Sequence, residues 1–124
     1  MSPERRQYPR VEVVKHVAGR AVAENAFVQV KEMSLGGMLI ETDADLSPKG
    51  VHEFRLRLTG GEETLVRGHI VHGQFTVKYG GVKYLLGVRF SFVPVDSAEV
   101  LKRFIAEFKP APLSPEPGGP ATNA

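Results

Sequence analysis

The chain has 124 residues, of which 42% are hydrophobic and 24% are charged, and its formal net charge is +2. This length predicts one domain with a single core, and the composition is that of an ordinary globular protein. The small charge excludes nucleic-acid binders with a strong basic face, and the lack of cysteine excludes disulfides and thiolate metal sites. No apolar run approaches the roughly 20 residues that cross a membrane, and the N-terminus opens with charge, so we expect a cytoplasmic protein.

The first ten residues form a basic segment with little apolar content. Arg5, Arg6 and Arg10 lie here, and Pro9 favours an extended conformation at the residue before it. We therefore expect residues 1–10 to be a flexible arm. A guanidinium group offers a planar fork of donors that matches a phosphate or the O6/N7 edge of guanine, and its face stacks on a base. The arm suits a small anionic ligand better than a long polyanion, and a solvated basic terminus is the alternative from these residues alone.

Stretches of alternating apolar and polar residues follow the arm and predict strands. Gly19 is expected to end the first of them, and residues 21–25 to form a short strand or loop. Many short strands at this spacing predict a small all-β barrel or a sandwich, and the glycines within strands fit the bends of a barrel. The strands are expected at about 11–17, 26–33, 37–42, 53–58, 64–72, 74–79 and 82–92.

The turn between the two central strands concentrates polar and small residues. Glu32, Ser34, Gly36 and Gly37 lie there and supply a carboxylate, a hydroxyl and two glycines. Glycine tolerates a positive φ and lets another group approach the backbone closely. The plain interpretation is a hairpin connection, and the functional interpretation is a site for a polar ligand.

The last predicted element is a helix with Asp96 at its N-cap and Glu99 three residues later. The apolar stripe of this helix must be buried across one open end or side of the barrel, so we expect the helix to be required for folding. The tail at 110–124 is rich in proline and glycine and is expected to be disordered or a linker, which leaves 11–109 as the folded domain. The stripe consists of Val100, Leu101, Phe104, Ile105 and Phe108.

Two motifs stand in the order Arg6-x-x-x-Arg10 and then Glu32-x-Ser34-x-x-Gly37. Together they resemble the PilZ domain, the bacterial receptor module for cyclic di-GMP. The likeness continues through Gly87-Val88-Arg89-Phe90 and the closing helix, and so covers roughly residues 4–108. It implies a mostly β fold, a six-stranded antiparallel β-barrel of the PilZ split-barrel type with one C-terminal α-helix.

The resemblance also implies a ligand and roles for the motif residues. The arginines hold the guanine and phosphate groups of cyclic di-GMP, the serine hydrogen-bonds the ligand, the first glycine serves the turn, and the second lets the sugar-phosphate lie against bare backbone. No cofactor, metal or enzymatic activity is implied. The output is expected to pass through an unidentified downstream protein, from a monomer or weak homodimer, in motility, exopolysaccharide or biofilm control. The implied ligand-binding residues are Arg5, Arg6, Arg10, Glu32, Ser34, Gly36 and Gly37.

Glu32 departs from the family pattern, which has Asp or Asn to accept hydrogen bonds from the Watson–Crick edge of guanine. Glu is longer by one methylene, about 1.5 Å. Loss of one charged hydrogen bond costs about 1.5 to 3 kcal/mol, or roughly ten- to a hundredfold in affinity, whereas a rotamer shift would rescue the contact. The first hypothesis is a receptor whose arm becomes ordered on ligand binding. The alternative is a PilZ-fold protein–protein adaptor that binds the nucleotide weakly or not at all.

The remaining polar and aromatic residues support no other function. The four histidines show no metal-ligand spacing and are expected at surface or edge positions. Among them, His69 and His72 are three apart in a predicted strand and so should point to opposite faces. No nucleophile elbow or pair of catalytic carboxylates stands out, so we expect no enzyme, and neither DNA nor RNA as a partner. Most of six aromatic residues that could stack on bases are expected in the core: Tyr8, Phe27, Phe54, Phe75, Tyr79 and Tyr84.

Overall fold

The computed structural model describes residues 10–108, so the predictions for the arm before Arg10 and for the proline-rich tail lie outside the described residues. Seven strands precede one helix in this part of the chain. None of its helices is long and apolar enough to cross a membrane. The elements are β1 (Val11–Glu12), β2 (Val17–Ala21), β3 (Ala26–Met33), β4 (Gly37–Thr42), β5 (His52–Leu58), β6 (Glu63–Lys78), β7 (Gly81–Phe92) and α1 (Val95–Ile105).

The strands form one antiparallel sheet that closes on itself. Their order is β1-β3-β2-β5-β6-β7-β4, and an additional pairing between β3 and β4 joins the ends of the series. The six strands β2 to β7 therefore form a closed barrel, whereas β1 is an extra strand that pairs with the C-terminal end of β3. The prediction of a six-stranded antiparallel barrel with one C-terminal helix is confirmed, and the sandwich alternative is excluded.

Alternating side chains fill the barrel. Phe54, Leu56 and Leu58 of β5 are buried, as their spacing predicted, while Arg55 and Arg57 between them are exposed. The same alternation buries every second residue along β4. Each large apolar side chain buried in this way contributes about 1.5 to 3 kcal/mol to the free energy of folding.

The first predicted strand is interrupted. A turn with a φ of 72° at Lys15 separates β1 from β2, which begins at Val17. The prediction that Gly19 ends a strand is wrong, because Gly19 lies inside β2. The neighbouring strand passes so close that a Cβ at this position would lie 2.9 Å from the Cα of Leu56. The glycine therefore serves close strand packing rather than a break.

β6 is a single strand of 16 residues, where the pattern predicted two strands at 64–72 and 74–79. Gly73 lies within it and pairs with Leu86 of β7. Bulges bend a strand without ending it. β6 therefore continues through Gly73 and stays paired with β7 up to Lys78 and Gly81, which makes a long hairpin. The register of this hairpin shifts at two bulges, between Arg67 and Gly68 and between Ile70 and His72.

α1 begins at Val95, with Pro94 as its N-cap and no side-chain capping bond. The prediction of Asp96 as the N-cap is therefore wrong. Asp96 lies in the first turn instead, where the helix dipole stabilises its negative charge. The predicted apolar stripe is buried at Leu101 and Phe104, and partly buried at Val100, Ile105 and Phe108.

His52 is buried, so the prediction of surface or edge positions for the histidines is wrong for this residue. Its Nε2 lies 2.7 Å from the carbonyl oxygen of Ser47. Its Nδ1 lies 3.1 Å from a carboxylate oxygen of Glu24. These contacts join the loop before β5 to the loop between β2 and β3, which no local sequence motif indicated.

Of the aromatic residues predicted to lie in the core, Phe54 is fully buried and Tyr84 partly buried. The prediction is wrong for three residues that are exposed: Phe27, Phe75 and Tyr79. Phe27 lies on the outer face of β3, Phe75 lies on β6 beyond the end of its pairing with β5, and Tyr79 lies in the turn of the hairpin. Tyr8 lies outside the described residues.

Candidate ligand-binding site

The residues that follow Arg10 hold it beside a surface cleft. Val11 and Val13 are buried, and Val11 pairs with Met33 of β3. The backbone N–H of Val13 donates to the carbonyl of Lys31 at 2.9 Å. Burial of two valines and pairing with β3 thus place the Arg10 side chain next to the turn that follows β3.

Arg10 Nη1 donates a hydrogen bond of 2.8 Å to Oε1 of Glu32. Glu32 also lies directly opposite Glu12 in the β1–β3 ladder. Like charges in that position repel, so the guanidinium of Arg10 offsets an unfavourable pair. A carboxylate has about four lone-pair sites, which leaves Glu32 able to accept further hydrogen bonds from a ligand.

The turn from Ser34 to Gly37 is held by its own hydrogen bonds. Ser34 is buried, its Oγ accepts from the N–H of Gly36 at 3.1 Å, and its N–H donates to the carbonyl of Gly37 at 2.9 Å. Neither glycine adopts the positive φ that the sequence allowed. A Cβ at Gly37 would instead overlap the carbonyl oxygen of Val88 in β7, so this glycine is needed for close strand packing.

The outer faces of four neighbouring strands form the floor of the cleft, which has a volume of about 640 Å³. In one row across these strands lie Glu32, Leu39, Gly87 and His72. Three steps of about 4.8 Å between strands make the row about 14 Å wide. Gly87 is covered by the ring of His72, since a Cβ there would lie 2.7 Å from two ring carbons.

The bulge in β6 brings further side chains to this face. His69 pairs with Arg89 and His72 pairs with Gly87, two positions apart on β7, so both histidines share the outer face. The prediction that they point to opposite faces is wrong, because the bulged residue Val71 shifts the alternation. Arg89 lines the cleft opposite Gly37. In the sequence, Arg89 was noted only as part of the Gly87-to-Phe90 stretch that resembles the family. That resemblance did not predict that Arg89 lines the cleft.

The structure brings together all the predicted ligand-binding residues that it describes. Arg5 and Arg6 lie outside the described residues. Sequence reasoning missed three polar residues of the cleft, namely His72, Gln74 and Arg89. Within residues 10–108, no cluster of three or more His, Asp or Glu side chains could hold a metal ion. The predicted residues that line the cleft are Arg10, Glu32, Ser34, Gly36 and Gly37.

Comparison with known proteins shows one family. A family model described as the PilZ domain matches residues 4–107. None of the curated proteins compared with the chain matches it.

Several solved structures are similar in fold. The PilZ domain of YcgR from Escherichia coli with c-di-GMP has 17% identity and a TM-score of 0.65, with 85% of this chain and 92% of that chain covered. MrkH of K. pneumonia in its apo state has 16% identity and a TM-score of 0.68, with 87% and 53% covered. The Borreliella burgdorferi PlzA protein in complex with c-di-GMP has 11% identity and a TM-score of 0.54, with 82% and 53% covered. This chain therefore spans about half the length of the last two proteins, and identities this low show the fold alone.

Proposed function

This chain belongs to the PilZ domain family, and from that membership we propose that it is a receptor for cyclic di-GMP. PilZ domains are binding modules for this nucleotide rather than enzymes. One observation carries the proposal. Arg10 lies 22 residues before Glu32 in sequence, yet both line a single cleft with Ser34 and Gly37.

The charge of the cleft supports an anionic ligand. Arg10 and Arg89 line it, and the one carboxylate that residues 10–108 contribute to it, that of Glu32, is already paired with Arg10. A guanidinium binds phosphate through two parallel hydrogen bonds, which favours arginine wherever phosphate is recognised. A cyclic dinucleotide carries two phosphates and two guanines, and so matches a wide floor with cationic groups along it.

The residues of the cleft divide the work of recognition in this proposal. Arg10 and Arg89 contact phosphate oxygens or stack on guanine. Glu32 accepts hydrogen bonds from the N1–H and N2 amine of guanine through its remaining lone pairs. The Oγ of Ser34 accepts from the backbone N–H of Gly36, and its hydroxyl hydrogen, which has no acceptor among residues 10–108, donates to the ligand. Leu39 supplies apolar floor beneath a base.

The proposed signalling step is the recruitment of the N-terminal arginines. The bound anion draws Arg5 and Arg6 onto the cleft and thereby orders the arm, since new charge-assisted hydrogen bonds offset the entropy of ordering a segment. The closed arm then presents a new surface to a downstream protein. We place this receptor in the bacterial cytoplasm, in control of motility, exopolysaccharide production or biofilm formation.

A second candidate function rests on the contact between Arg10 and Glu32. Both groups are needed for the ligand, yet they form an ion pair with each other at 2.8 Å. If this pair persisted, neither group would be available to the nucleotide. The chain would then be a PilZ-fold adaptor that binds a protein and little nucleotide. Breaking a partly exposed ion pair costs about 0.2 to 1 kcal/mol, which would weaken binding of the ligand by less than about tenfold. The receptor function is therefore the better supported of the two.

Calorimetric titration of cyclic di-GMP into the full chain tests the proposal, with cyclic di-AMP as the control ligand. We expect a Kd of about 1 to 10 µM for cyclic di-GMP and binding at least about tenfold weaker for cyclic di-AMP. Adenine lacks the two guanine donors that Glu32 accepts, which is the reason for the difference. No heat up to about 100 µM would reject the receptor and favour the adaptor.

Shortening Glu32 to Asp is expected to tighten cyclic di-GMP binding about tenfold. The variant Glu32→Asp withdraws the carboxylate by about 1.5 Å, which frees Arg10 for the ligand and restores the acceptor length found in the family. The Kd from calorimetry is the readout. The matched control is Glu41→Asp on β4, whose carboxylate lies 3.5 Å from Lys31 and outside the cleft, and it should leave Kd unchanged. Equal or weaker binding by Glu32→Asp would show that the pair of Arg10 with Glu32 costs the ligand little and that the full length of the glutamate suits its contact with guanine.

A further inference from the structure

The outer face of β3, β2 and β5 carries a set of side chains that the ligand cleft does not use. Residues directly opposite each other in an antiparallel ladder share a face, and the pairing places Arg20 of β2 between Phe27 of β3 and Arg55 of β5. In the next row, Ala18 lies opposite Arg57. These five residues line a surface groove of about 290 Å³, and we call this surface the arginine face.

Arg20 and Arg55 are both exposed and lie directly opposite each other on adjacent strands. Like charges in this position destabilise a sheet. Among residues 10–108, neither guanidinium forms an ion pair, and Arg20 donates instead to the neutral amide oxygen of Asn25 at 3.0 Å. An anion supplied by another molecule would relieve the repulsion between the two arginines.

The carboxylates nearest to this pair already bind other arginines. Glu63 lies opposite Arg57 in the β5–β6 ladder, and its Oε2 is 2.7 Å from the guanidinium. Glu53, two residues before Arg55 on β5, lies 3.5 Å from Arg67. The positive charge that remains on the arginine face is therefore that of its two opposed arginines.

The arginine face also offers an apolar contact and open space. Phe27 is 61% exposed and lies directly beside Arg20. Ala18 and Gly19 contribute little side chain, which leaves the groove open between the larger residues. Aromatic residues and arginine are enriched in protein–protein interfaces and among the residues that supply most of the binding energy. The composition is thus that of a surface that binds a protein.

We propose that the arginine face binds an acidic, extended segment of the downstream protein. The row from Phe27 through Arg20 to Arg55 crosses three strands and is about 10 Å long. Alternate side chains of an extended segment point the same way and lie about 6.8 Å apart. The pattern apolar-x-acidic-x-acidic therefore sets one apolar residue on the phenylalanine and one carboxylate at each arginine. The length of the arginine side chains absorbs a difference of about 2 Å per step.

A short acidic segment fits this surface better than a nucleic acid or a membrane does. Two unpaired guanidinium groups match two carboxylates, each through parallel hydrogen bonds. A nucleic acid presents a long row of phosphates and needs several cationic contacts, whereas Glu53 and Glu63 lie beside these arginines and repel further anions. Binding to a membrane surface needs a broader apolar or basic face than one phenylalanine and two free arginines provide.

The arginine face lies on the opposite side of the barrel from the centre of the ligand cleft. In either direction around the barrel, β2 lies three strands from β7, and β5 lies three strands from β4. The two surfaces can therefore be occupied at the same time. The role of the partner rests on the proposed receptor function, but its binding is measured without nucleotide and so succeeds or fails separately from the titration with cyclic di-GMP.

Nuclear magnetic resonance titration of the isotope-labelled full chain tests the proposal. The probe is a peptide with the pattern Leu-x-Glu-x-Glu and serine at each x, and the control peptide has glutamine in place of both glutamates. We expect a Kd on the order of 100 µM, with amide shifts on β2, β3 and β5, and binding at least about tenfold weaker for the control peptide. No shifts at about 2 mM peptide, shifts at the ligand cleft alone, or equal binding of both peptides would overturn the proposal.

Two matched variants locate the binding charge. Arg55→Glu should weaken binding of the glutamate peptide at least about tenfold, because it pairs Arg20 within the sheet and repels the second carboxylate. Arg103→Glu makes the same charge change on α1, at a side chain that is 64% exposed, and should leave the Kd within about twofold of the parent value. The amide spectra also show whether each variant is folded. Equal weakening by both variants would mean that net charge alone attracts the peptide, which contradicts a specific face.

Reversal of charge on both sides gives the final test. The variant Arg20→Glu/Arg55→Glu should lose the glutamate peptide and bind a peptide with the pattern Leu-x-Lys-x-Lys at a Kd of the same order. Failure to bind the lysine peptide would refute the proposed contacts. Binding of oligothymidylate or of phosphatidylglycerol vesicles that is tighter than that of the glutamate peptide, and is lost in Arg55→Glu alone, would assign the face to a nucleic acid or a membrane and overturn the proposal.

Discussion

The variant Arg6→Ala/Arg10→Ala should lose at least about a hundredfold in affinity for cyclic di-GMP while its thermal stability stays nearly unchanged. Each arginine is expected to make a charged hydrogen bond to the ligand worth about 1.5 to 3 kcal/mol, and two such losses exceed two decades in Kd. The fold should tolerate the change, because the side chain of Arg10 is 36% exposed and its pair with Glu32 is worth at most about 1 kcal/mol. Calorimetry gives Kd, and thermal denaturation gives the stability.

The control for lost positive charge is Arg55→Ala/Arg57→Ala. Both side chains are exposed on β5, which lies three strands from β4 in either direction around the barrel. This variant has the same net charge as the first, so general electrostatic attraction changes equally in both. We expect its Kd to stay within about twofold of the parent value. Similar weakening by both variants would mean that charge alone attracts the nucleotide and that the cleft is not its site.

The variant Leu101→Ala is expected to lower the free energy of unfolding by about 2 to 5 kcal/mol. Leu101 is 0% exposed and belongs to the core cluster that α1 forms with the barrel. Truncation removes apolar contacts and leaves a cavity in a part of the structure that can relax little. For a domain of this size, a loss of 3 kcal/mol lowers Tm by about 12 to 24 °C.

The comparison variant for the helix is Lys102→Ala, one residue further along α1 and exposed. Alanine is the best helix former, so this change should stay within about 0.5 kcal/mol of the parent. Urea denaturation of both variants measures the difference. A Leu101→Ala protein as stable as Lys102→Ala would show that the barrel folds without help from α1, contrary to the expectation from its apolar stripe.

The barrel could be predicted from local patterns because burial on one face of a strand leaves a period of two in the sequence. The central strands β3 and β4 end within one residue of the predicted bounds, and β5 buries the predicted face. Gly19 was misread, because a local pattern cannot distinguish a glycine that ends a strand from one that permits close packing. Only the paired strand, which is distant in sequence, makes that distinction.

The candidate site could be predicted only in part, for a similar reason. The turn residues from Glu32 to Gly37 are adjacent in sequence, and the family resemblance identified them together with Arg10. Arg89 and His72 were missed, because their presence in the cleft depends on the register of β7 against β4 and on a bulge in β6. Register and bulges arise from pairing between distant segments, so the pattern of residues within one strand does not predict them.

The amino-acid sequence alone determined the chemical groups of the site, the family and the inward faces of the main strands, because motifs and alternation are local properties. The tertiary structure alone decided that Arg10 pairs with Glu32, that the bulge places His72 over Gly87, and that the β6–β7 hairpin exposes Phe75 and Tyr79 to solvent. These outcomes follow from the closure of the barrel, which sets which strands meet and how far each pair extends.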